Sequence, residues 1–382
     1  MNAPTRFVVR RGRAVGQAVT SSATTSFLIV KTSSLGDVIH MMPAVADLRR
    51  AHPDSHISWL VDEMYVPLVR LTPAVDEVLP VSWRRWRRRL HAPSTWREMR
   101  SFVSALRRRR YDAIVDAQGL VHSGSMAKLA VGATHGYDAS SIREPLAASL
   151  YDVRHRVSRC LPAIARNREL SSLAFGYSHP EKIEYGLDAM WRPVSRGTPY
   201  ALMLHSSAQA EKGWAPWSWR RLGTKLAERG FQIVLPAGSH VERERAMWIA
   251  QGLPSALVPP TLPLERMVDL LRGASLIVGL DTGLVHLGAA LGVPTVAIFV
   301  ASDPALTAPA GNGAIAIAGA KNRPADEGEV ETAVDRVLQA SLPFAGAGKL
   351  DLYRAKDEVN GDARHAAPAH ISGVHMPGSA RI

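Results

Sequence analysis

The chain has 382 residues, 46% of them hydrophobic, which is enough for two globular domains with buried cores. No uninterrupted apolar run approaches the roughly 18 residues of a membrane-spanning helix, so we do not expect the chain to cross a bilayer. The single cysteine, Cys160, excludes an internal disulfide framework and a cysteine-rich metal site, and it is compatible with a reducing compartment.

The net charge of +12 is concentrated in one segment. From Trp83 to Arg110 there are eleven arginines and one acid, Glu98, a local excess of +10. We expect this arginine strip, residues 83–110, to face a polyanion: nucleic acid, anionic lipid, or a carboxylated and phosphorylated glycolipid. A nucleic-acid binder is the weaker alternative, because the strip lacks a recognisable nucleic-acid-binding signature and basic charge alone is sequence-nonspecific.

Both ends of the chain differ in composition from the middle. Residues 1–26 hold four arginines, many Ser and Thr and no acid, without the apolar core of a secretory signal. They superficially match an organellar transit peptide, but we interpret them as a disordered basic extension. Residues 344–382 are rich in Gly, Ala, His and Pro without periodicity, and they predict a disordered tail.

The first half alternates between strand and helix patterns. The predicted strands are 27–31, 56–61, 77–81 and a buried one within 111–119. The predicted helices are 38–51, 66–71, 96–110, 122–133 and 161–173, while residues 137–152 are less regular.

Glycine and proline interrupt the periodicity between residues 175 and 199, which indicates a domain boundary near residue 190. The second half then predicts strands over 200–207, 231–238, 256–260, 275–281 and 293–299. Its predicted helices are 216–229, 240–251, 264–272, one after Thr282, and a closing helix over 330–340. This alternation predicts two α/β domains, 27–190 and 191–343, each with a parallel sheet between helices.

The segment KTSSLGD, Lys31 to Asp37, connects the first strand to the first helix. Such turns lie at the carboxyl ends of strands, where open α/β sheets bind ligands, so a carboxylate there faces the cleft. Asp37 also suits ordinary helix capping, although Ser33 and Ser34 can cap the helix and leave it free. At this point capping is the first interpretation of Asp37 and a catalytic role is the alternative, and the rest of the chain must decide between them.

A turn in the second half is suited to binding phosphate. Asp281 ends a strand, Thr282 is a favourable N-cap, and Gly283 allows close approach of a ligand to the backbone. The free N–H groups and the dipole of the following helix attract phosphate, and His286, one turn later, can donate to an anion. Simple capping and an ordinary buried histidine remain alternatives of about equal weight.

Two further turns add polar groups. Glu242 follows Gly238 and either holds ribose hydroxyls or complements a helix dipole. Lys212 either neutralises a diphosphate or is a solvated surface lysine. These turns carry no GxGxxG or GxxxxGK[ST] pattern, and the sequence offers no credible His/Cys metal cluster. A carboxylate in the first domain and phosphate-binding turns in the second predict group transfer across an interdomain cleft.

Together these segments resemble the lipopolysaccharide heptosyltransferases, glycosyltransferase family 9, from about residue 27 to residue 338. The segment KTSSLGD begins with a lysine, as is expected of the family members that add the first heptose. The motifs that carry the resemblance are FLIVKTSSLGDVIHMMPA, VSWRRWRR, YDAIVDAQGLVHS, IREPLAAS, EKGW, LPAGSHVERERA and GLDTGLVHLGAALGVP.

The resemblance implies a GT-B fold, two Rossmann-like domains with a central interdomain cleft. It implies an inverting enzyme that moves heptose from ADP-L-glycero-β-D-manno-heptose to the inner Kdo of Kdo2-lipid A in lipopolysaccharide core biosynthesis. The donor would bind the C-terminal domain and the acceptor the N-terminal one, at the cytoplasmic face of the inner membrane, with no metal or other cofactor and no specific nucleic acid. Another acceptor or nucleotide sugar within the family is the main alternative.

The resemblance also assigns roles to residues. Asp37 matches the general base that takes the proton of the acceptor hydroxyl. The positions that match donor contacts are Ser207 and Lys212 for the phosphates, Glu242 for the ribose, Leu262 against adenine, and Asp281, Thr282, Gly283 and His286 in the donor loop. The positions that match the acceptor's basic surface are Arg84, Arg85, Arg87, Arg88 and Arg143.

Two positions depart from the family pattern. Ala208 stands where a hydroxyl is usual, which is expected to lower phosphate affinity. His122 stands where a lysine is frequent, which is expected to weaken acceptor binding or make it pH-sensitive.

Overall fold

A computed structural model describes residues 24–187, 198–207 and 213–341, which form two lobes built on parallel β-sheets. The strands of the first lobe are β1 (Ser26–Val30), β2 (His56–Asp62), β3 (Glu77–Val81), β4 (Ala113–Asp116), β5 (Thr134–Tyr137) and β6 (Val153–His155). Its α-helices are α1 (Leu35–Ala51), α2 (Val66–Val69), α3 (Trp83–Trp86), α4 (Pro93–Leu106), α5 (Val121–Leu129) and α6 (Ala163–Phe175), with 3₁₀ turns at Glu63–Tyr65 and Pro145–Leu150.

The second lobe repeats the alternation of strand and helix. Its strands are β7 (Tyr200–Leu204), β8 (Gln232–Val234), β9 (Leu276–Leu280), β10 (Thr295–Ile298) and β11 (Ile315–Ala318). Its helices are α7 (Pro216–Glu228), α8 (His240–Ala250), α9 (Leu264–Gly273), α10 (Gly283–Ala290), α11 (Pro304–Thr307) and α12 (Glu327–Ser341).

Strand order determines where each sheet can bind a ligand. The first sheet runs β3-β2-β1-β4-β5-β6 and the second β11-β10-β9-β7-β8, with parallel pairing throughout. The order reverses between β1 and β4 in one sheet and between β7 and β9 in the other. Ligands of open α/β sheets bind at such switch points, outside the carboxyl ends of the strands. The turns after β1, β4, β7 and β9 are therefore the positions from which a site is built.

Burial of the central strands explains why they read as continuous apolar runs. Every residue of β1 and of β9 is buried, as expected for parallel strands with helices on both faces. One apolar cluster continues from α1 and β1 of the first lobe into β7, α9 and α10 of the second. The lobes therefore meet through a shared core as well as across a cleft, and α1 and α10 are the helices that bring them together.

Most predicted elements are confirmed, and the differences have local causes. The helix predicted over 122–133 ends at Leu129, and β5 and β6 follow where no strand was predicted, because strands of three or four residues are too short to show a period. Residues 256–260 form only one bridge, between Val234 and Leu257. Pro259 and Pro260 cannot donate to a ladder, which stops a strand there.

The predicted disordered ends and the boundary near residue 190 lie outside the described residues, except that Ser26 already belongs to β1. None of the helices within residues 24–187, 198–207 and 213–341 is long and apolar enough to span a bilayer.

Candidate functional site

Asp37 lies in the first turn of α1, at the carboxyl end of β1. Its Oδ2 accepts hydrogen bonds from the backbone N of Ser34 (2.8 Å) and from the Ser34 hydroxyl (3.0 Å). Its Oδ1 lies 3.6 Å from Nζ of Lys31, and the side chain is 42% exposed. The prediction that serine would cap the helix and leave this carboxylate free is therefore wrong for Oδ2, which caps the turn, whereas Oδ1 pairs with Lys31.

The electrostatics around Asp37 favour its charged form. Burial opposes ionisation, but the Lys31 ammonium and the Ser34 hydrogen bonds outweigh it, and the pKa of Asp37 is held below its ordinary value. Lys31 is itself buried and donates to the carbonyl of Ala117 at 2.9 Å, which fixes its position. The carboxylate is thus ionised and available to accept a proton at neutral pH.

Asp37 lines a cavity of about 290 Å³ in the first lobe, which we call the Asp37 cavity. Among the side chains around it are Lys31, Gln118, Arg143, Arg159 and Arg166, with Thr307 contributed from the second lobe. Three arginines and one carboxylate suit an anionic molecule that carries a hydroxyl to be activated. Arg143 was predicted here, whereas Lys31, Arg159 and Arg166 were not, because no local pattern in the sequence marks them as residues of one cavity.

A second cavity, of about 250 Å³, lies mainly in the second lobe, and we call it the Leu35 cavity. Its walls include Leu35, His205, Ser206, Pro236, Gly238, Glu242, Leu262 and Thr282. Apolar side chains opposite the helix-start residues Glu242 and Thr282 suit a base and a phosphorylated sugar. Three of the residues predicted to contact a nucleotide therefore line one cavity: Glu242, Leu262 and Thr282.

The other predicted donor residues lie beside this cavity or outside the described chain. Glu242 uses Oε2 to accept from the backbone N of Gly238 at 2.7 Å. Ser207 follows β7 at the edge of the same region and has an interaction partner. Lys212, and the departure at Ala208, lie outside the described residues.

The first turns of α1 and α10 bring the two cavities together. A Cβ built on Gly36 would lie 3.7 Å from the Cα of Gly283, and one built on Gly283 would lie 2.6 Å from a Leu35 side-chain atom. Gly283 is therefore required for close approach of the lobes. Leu35 and Asp37 are separated by only about 3 Å of helix rise, so one turn of α1 connects both cavities.

Asp281 and His286 are paired with each other. His286 Nε2 lies 3.1 Å from Asp281 Oδ1, and the Ser302 hydroxyl donates to Asp281 Oδ2 at 2.6 Å. Both side chains are buried. This arrangement favours the alternative of a buried histidine over direct donation to an anion.

The arginine strip does not form one continuous free surface. Arg85 is bonded to Glu63 and Glu98, and Arg108 to Glu77. Two of these glutamates come from outside residues 83–110, so counting charge along the sequence overstated the excess charge in space. Arg88 is exposed.

Arg84, whose Nε lies 3.9 Å from Asp62 Oδ2, and Arg87 line a cavity of about 220 Å³ beside Ser33, the Trp83 cavity. Trp83 and His122 stack there, with ring centroids 5.9 Å apart and an angle of 2° between the rings. Burial lowers the pKa of His122, so the ring is predominantly neutral at neutral pH. The cation at this cavity is therefore supplied by the two arginines.

Within the described residues, no three His, Cys, Asp or Glu side chains are arranged to hold a metal ion.

Comparisons with known proteins identify the family of the chain. The family model for glycosyltransferase family 9 (heptosyltransferase) matches residues 99–336. Lipopolysaccharide heptosyltransferase 1 of Pseudomonas aeruginosa is 42% identical over 284 residues, 73% of this chain and 80% of that protein. The protein of the same name from Escherichia coli K12 is 39% identical over 284 residues, 73% of this chain and 89% of that protein.

A solved structure described as E. coli heptosyltransferase WaaC with ADP superposes with a TM-score of 0.75 at 36% identity, over 82% of this chain and all of that chain. The two parallel sheets facing a cleft, the match to the family model and the identity to these relatives agree. The chain belongs to glycosyltransferase family 9, the heptosyltransferases.

Proposed function

We propose that this protein transfers L-glycero-D-manno-heptose from ADP-heptose to the inner Kdo of Kdo2-lipid A, with inversion at the anomeric carbon. The observation that carries the proposal is the single turn of α1 in which Leu35 lines one cavity and Asp37 the other. Support comes from relatives named lipopolysaccharide heptosyltransferase 1, and from a 36% identical structure described with ADP-2-deoxy-2-fluoro heptose.

In this proposal the donor occupies the Leu35 cavity. Leu262 lies against adenine, Glu242 holds the ribose through Oε1, and Ser207, Lys212 and Thr282 contact the diphosphate. The start of α10 stabilises negative charge on the departing ADP, as a helix N-terminus does for anions. The two domains, which meet at a boundary near residue 190, then bind one substrate each.

The acceptor occupies the Asp37 cavity and the neighbouring Trp83 cavity. As its hydroxyl oxygen forms a bond to the anomeric carbon, the bond to the ADP oxygen breaks and the hydroxyl proton passes to Asp37 Oδ1. Arg143 from one cavity, and Arg84 and Arg87 from the other, pair with carboxylates and phosphates of the acceptor. The exposed arginines of the strip then meet anionic lipid at the cytoplasmic face of the inner membrane.

The direct test incubates the full chain with ADP-heptose and Kdo2-lipid A and measures the mass of the lipid product. We expect the addition of one heptose. No addition to this lipid, together with turnover on an already heptosylated core, would instead favour a family member with another acceptor.

Removing the cations of the Trp83 cavity should weaken acceptor binding alone. We expect Arg84→Ala/Arg87→Ala to raise KM for Kdo2-lipid A roughly tenfold, because each partly exposed charge pair contributes up to about 1 kcal/mol. The KM for ADP-heptose should not change, because neither residue lines the Leu35 cavity. Steady-state kinetics with each substrate varied in turn measures both values.

The matched control is Arg107→Ala/Arg108→Ala, which removes two charges at the far end of the strip, where Arg107 donates to the carbonyl of Leu129 and Arg108 pairs with Glu77. An equal rise in acceptor KM in both double variants would mean that the strip acts by general charge attraction and not through the Trp83 cavity.

A further inference from the structure

A buried chain of polar side chains crosses between the lobes next to the two cavities. His40 Nε2, on α1, lies 3.3 Å from Nδ1 of His286, on α10. His286 Nε2 continues to Asp281 Oδ1 at 3.1 Å, and Ser302 donates to Asp281 Oδ2 at 2.6 Å. His40 and His286 are 5% and 4% exposed, so water does not compete for their hydrogen bond. The His40–His286 hydrogen bond therefore joins α1 directly to α10.

The order of donors and acceptors follows from the carboxylate at one end. A carboxylate accepts, so the contact with Asp281 places a proton on Nε2 of His286, and the arrangement argued here has Nδ1 of His286 as the acceptor toward His40. His40 must then donate from Nε2. Burial lowers the pKa of His40 to about 3, with Lys31 acting in the same direction and Asp37 and Asp281 opposing it. His40 is therefore neutral at neutral pH, and a single hydrogen lies between the two rings.

The His40–His286 hydrogen bond lies between the turn that carries Asp37 and the start of α10. His40 follows Asp37 by three residues, so the two side chains lie on neighbouring positions of α1. On the other side, Asp281 precedes Thr282, the N-cap residue of α10. A Cβ built on Gly36 would lie 3.6 Å from His286 Cδ2, so the histidine pair packs directly under the turn that carries Asp37.

We propose that His40 is a positioning residue that, through its hydrogen bond to His286, sets the distance between the Asp37 carboxylate and the donor-binding turn 281–283. The proposal rests on the proposed function, because it assigns Asp37 and that turn to the acceptor and donor sides of one transfer. His40 contacts neither substrate. Its effect is on the alignment of base and leaving group, to which the rate is sensitive at the level of about 1 Å.

The test compares His40→Leu, which fills the space without a donor, with His40→Gln, whose side-chain N–H replaces the Nε2 donor. We expect His40→Leu to lower kcat about tenfold while the Kd for ADP stays within about twofold of the wild type. His40→Gln should restore kcat to within about twofold of the wild type. A rescue by glutamine distinguishes positioning by a hydrogen bond from simple filling of space.

The control is His52→Leu at the carboxyl end of the same helix. His52 bonds the carbonyl of Phe175 within the first lobe and stacks edge-on against Phe27, away from both cavities. This variant should unfold at a lower urea concentration without a change in kcat. A His40→Leu enzyme with kcat within twofold of the wild type, or a loss that glutamine does not restore, would overturn the proposal.

A second measurement uses the wild-type protein and does not depend on activity. NMR of protein labelled with ¹⁵N in histidine, recorded at pH 8, should show the Nε2–H tautomer for both His40 and His286. The Nδ1–H tautomer at His40 would leave its Nε2 without the proton that the proposed hydrogen bond needs, and would overturn the proposal even if a variant failed to fold. If both histidines showed the Nε2–H tautomer but the wild-type protein did not transfer heptose to Kdo2-lipid A, that result would instead count against the proposed function.

Discussion

Asp37→Asn is expected to lower kcat for heptose transfer by at least roughly 10², because the amide cannot take the proton from the acceptor hydroxyl. The amide oxygen can still accept from the backbone N of Ser34, so the first turn of α1 should persist. The Kd for ADP should not change, because Asp37 lines the Asp37 cavity and not the Leu35 cavity. Single-turnover kinetics at saturating donor, with calorimetric titration of ADP, measures the two effects separately.

The pH dependence of the wild-type enzyme provides a further check on the same residue. Since the pKa of Asp37 is held below its ordinary value by Lys31 and Ser34, despite the opposing effect of burial, the carboxylate loses its basic form only as the pH falls through that lowered pKa. We therefore expect no acid limb in kcat from Asp37 above about pH 5.

The control for Asp37→Asn is Asp326→Asn, because Asp326 also accepts a backbone N–H at a helix start, that of Glu329 at 2.8 Å, but lies outside both cavities. If the two variants lost activity equally, the effect of Asp37 would be one of helix capping. Near-normal turnover in Asp37→Asn would remove it from the mechanism.

The sequence predicted the two α/β lobes and the turn that bears Asp37 because both depend on local patterns. Buried parallel strands read as apolar runs, and the turns between strand and helix carry serine, aspartate and glycine for reasons of backbone geometry. Glu242 and Thr282 line one cavity because each follows a strand at the carboxyl edge of the same sheet, and Leu262 joins them from the segment before α9.

The features that could not be predicted from the sequence depend on contacts between residues that are far apart in the chain. His40 and His286 are 246 positions apart, and nothing near His40 marks it as a cleft residue. The charge of the arginine strip is partly neutralised by Glu63 and Glu77, which belong to other segments, so the sequence alone overstated its local excess. Lys31 was assigned no role, since its pairing with Asp37 requires the chain to turn between them.

Arg168→Met is expected to destabilise the protein by about 3–5 kcal/mol, because it leaves a buried carboxylate without its main partner. Arg168 on α6 donates from Nε to Asp47 Oδ2 on α1 at 2.6 Å, and the two side chains are 5% and 1% exposed. Arg168 also donates to the carbonyls of Pro180 and Lys182, at 2.5 and 3.1 Å, so it ties the segment after α6 to the helix that carries Asp37. Urea unfolding followed by circular dichroism measures the change.

Two further variants separate the buried charge from the loss of packing. Arg50→Met removes another partner of Asp47, at 3.4 Å, but Arg50 is 47% exposed, so it should cost about 1 kcal/mol or less. Asp47→Leu/Arg168→Met removes both buried charges and should be more stable than Arg168→Met alone, because an apolar pair often replaces a buried ion pair at little cost. If the double variant were instead less stable than Arg168→Met, the unpaired Asp47 carboxylate would not be the cause, and the carbonyl contacts of Arg168 would account for the loss.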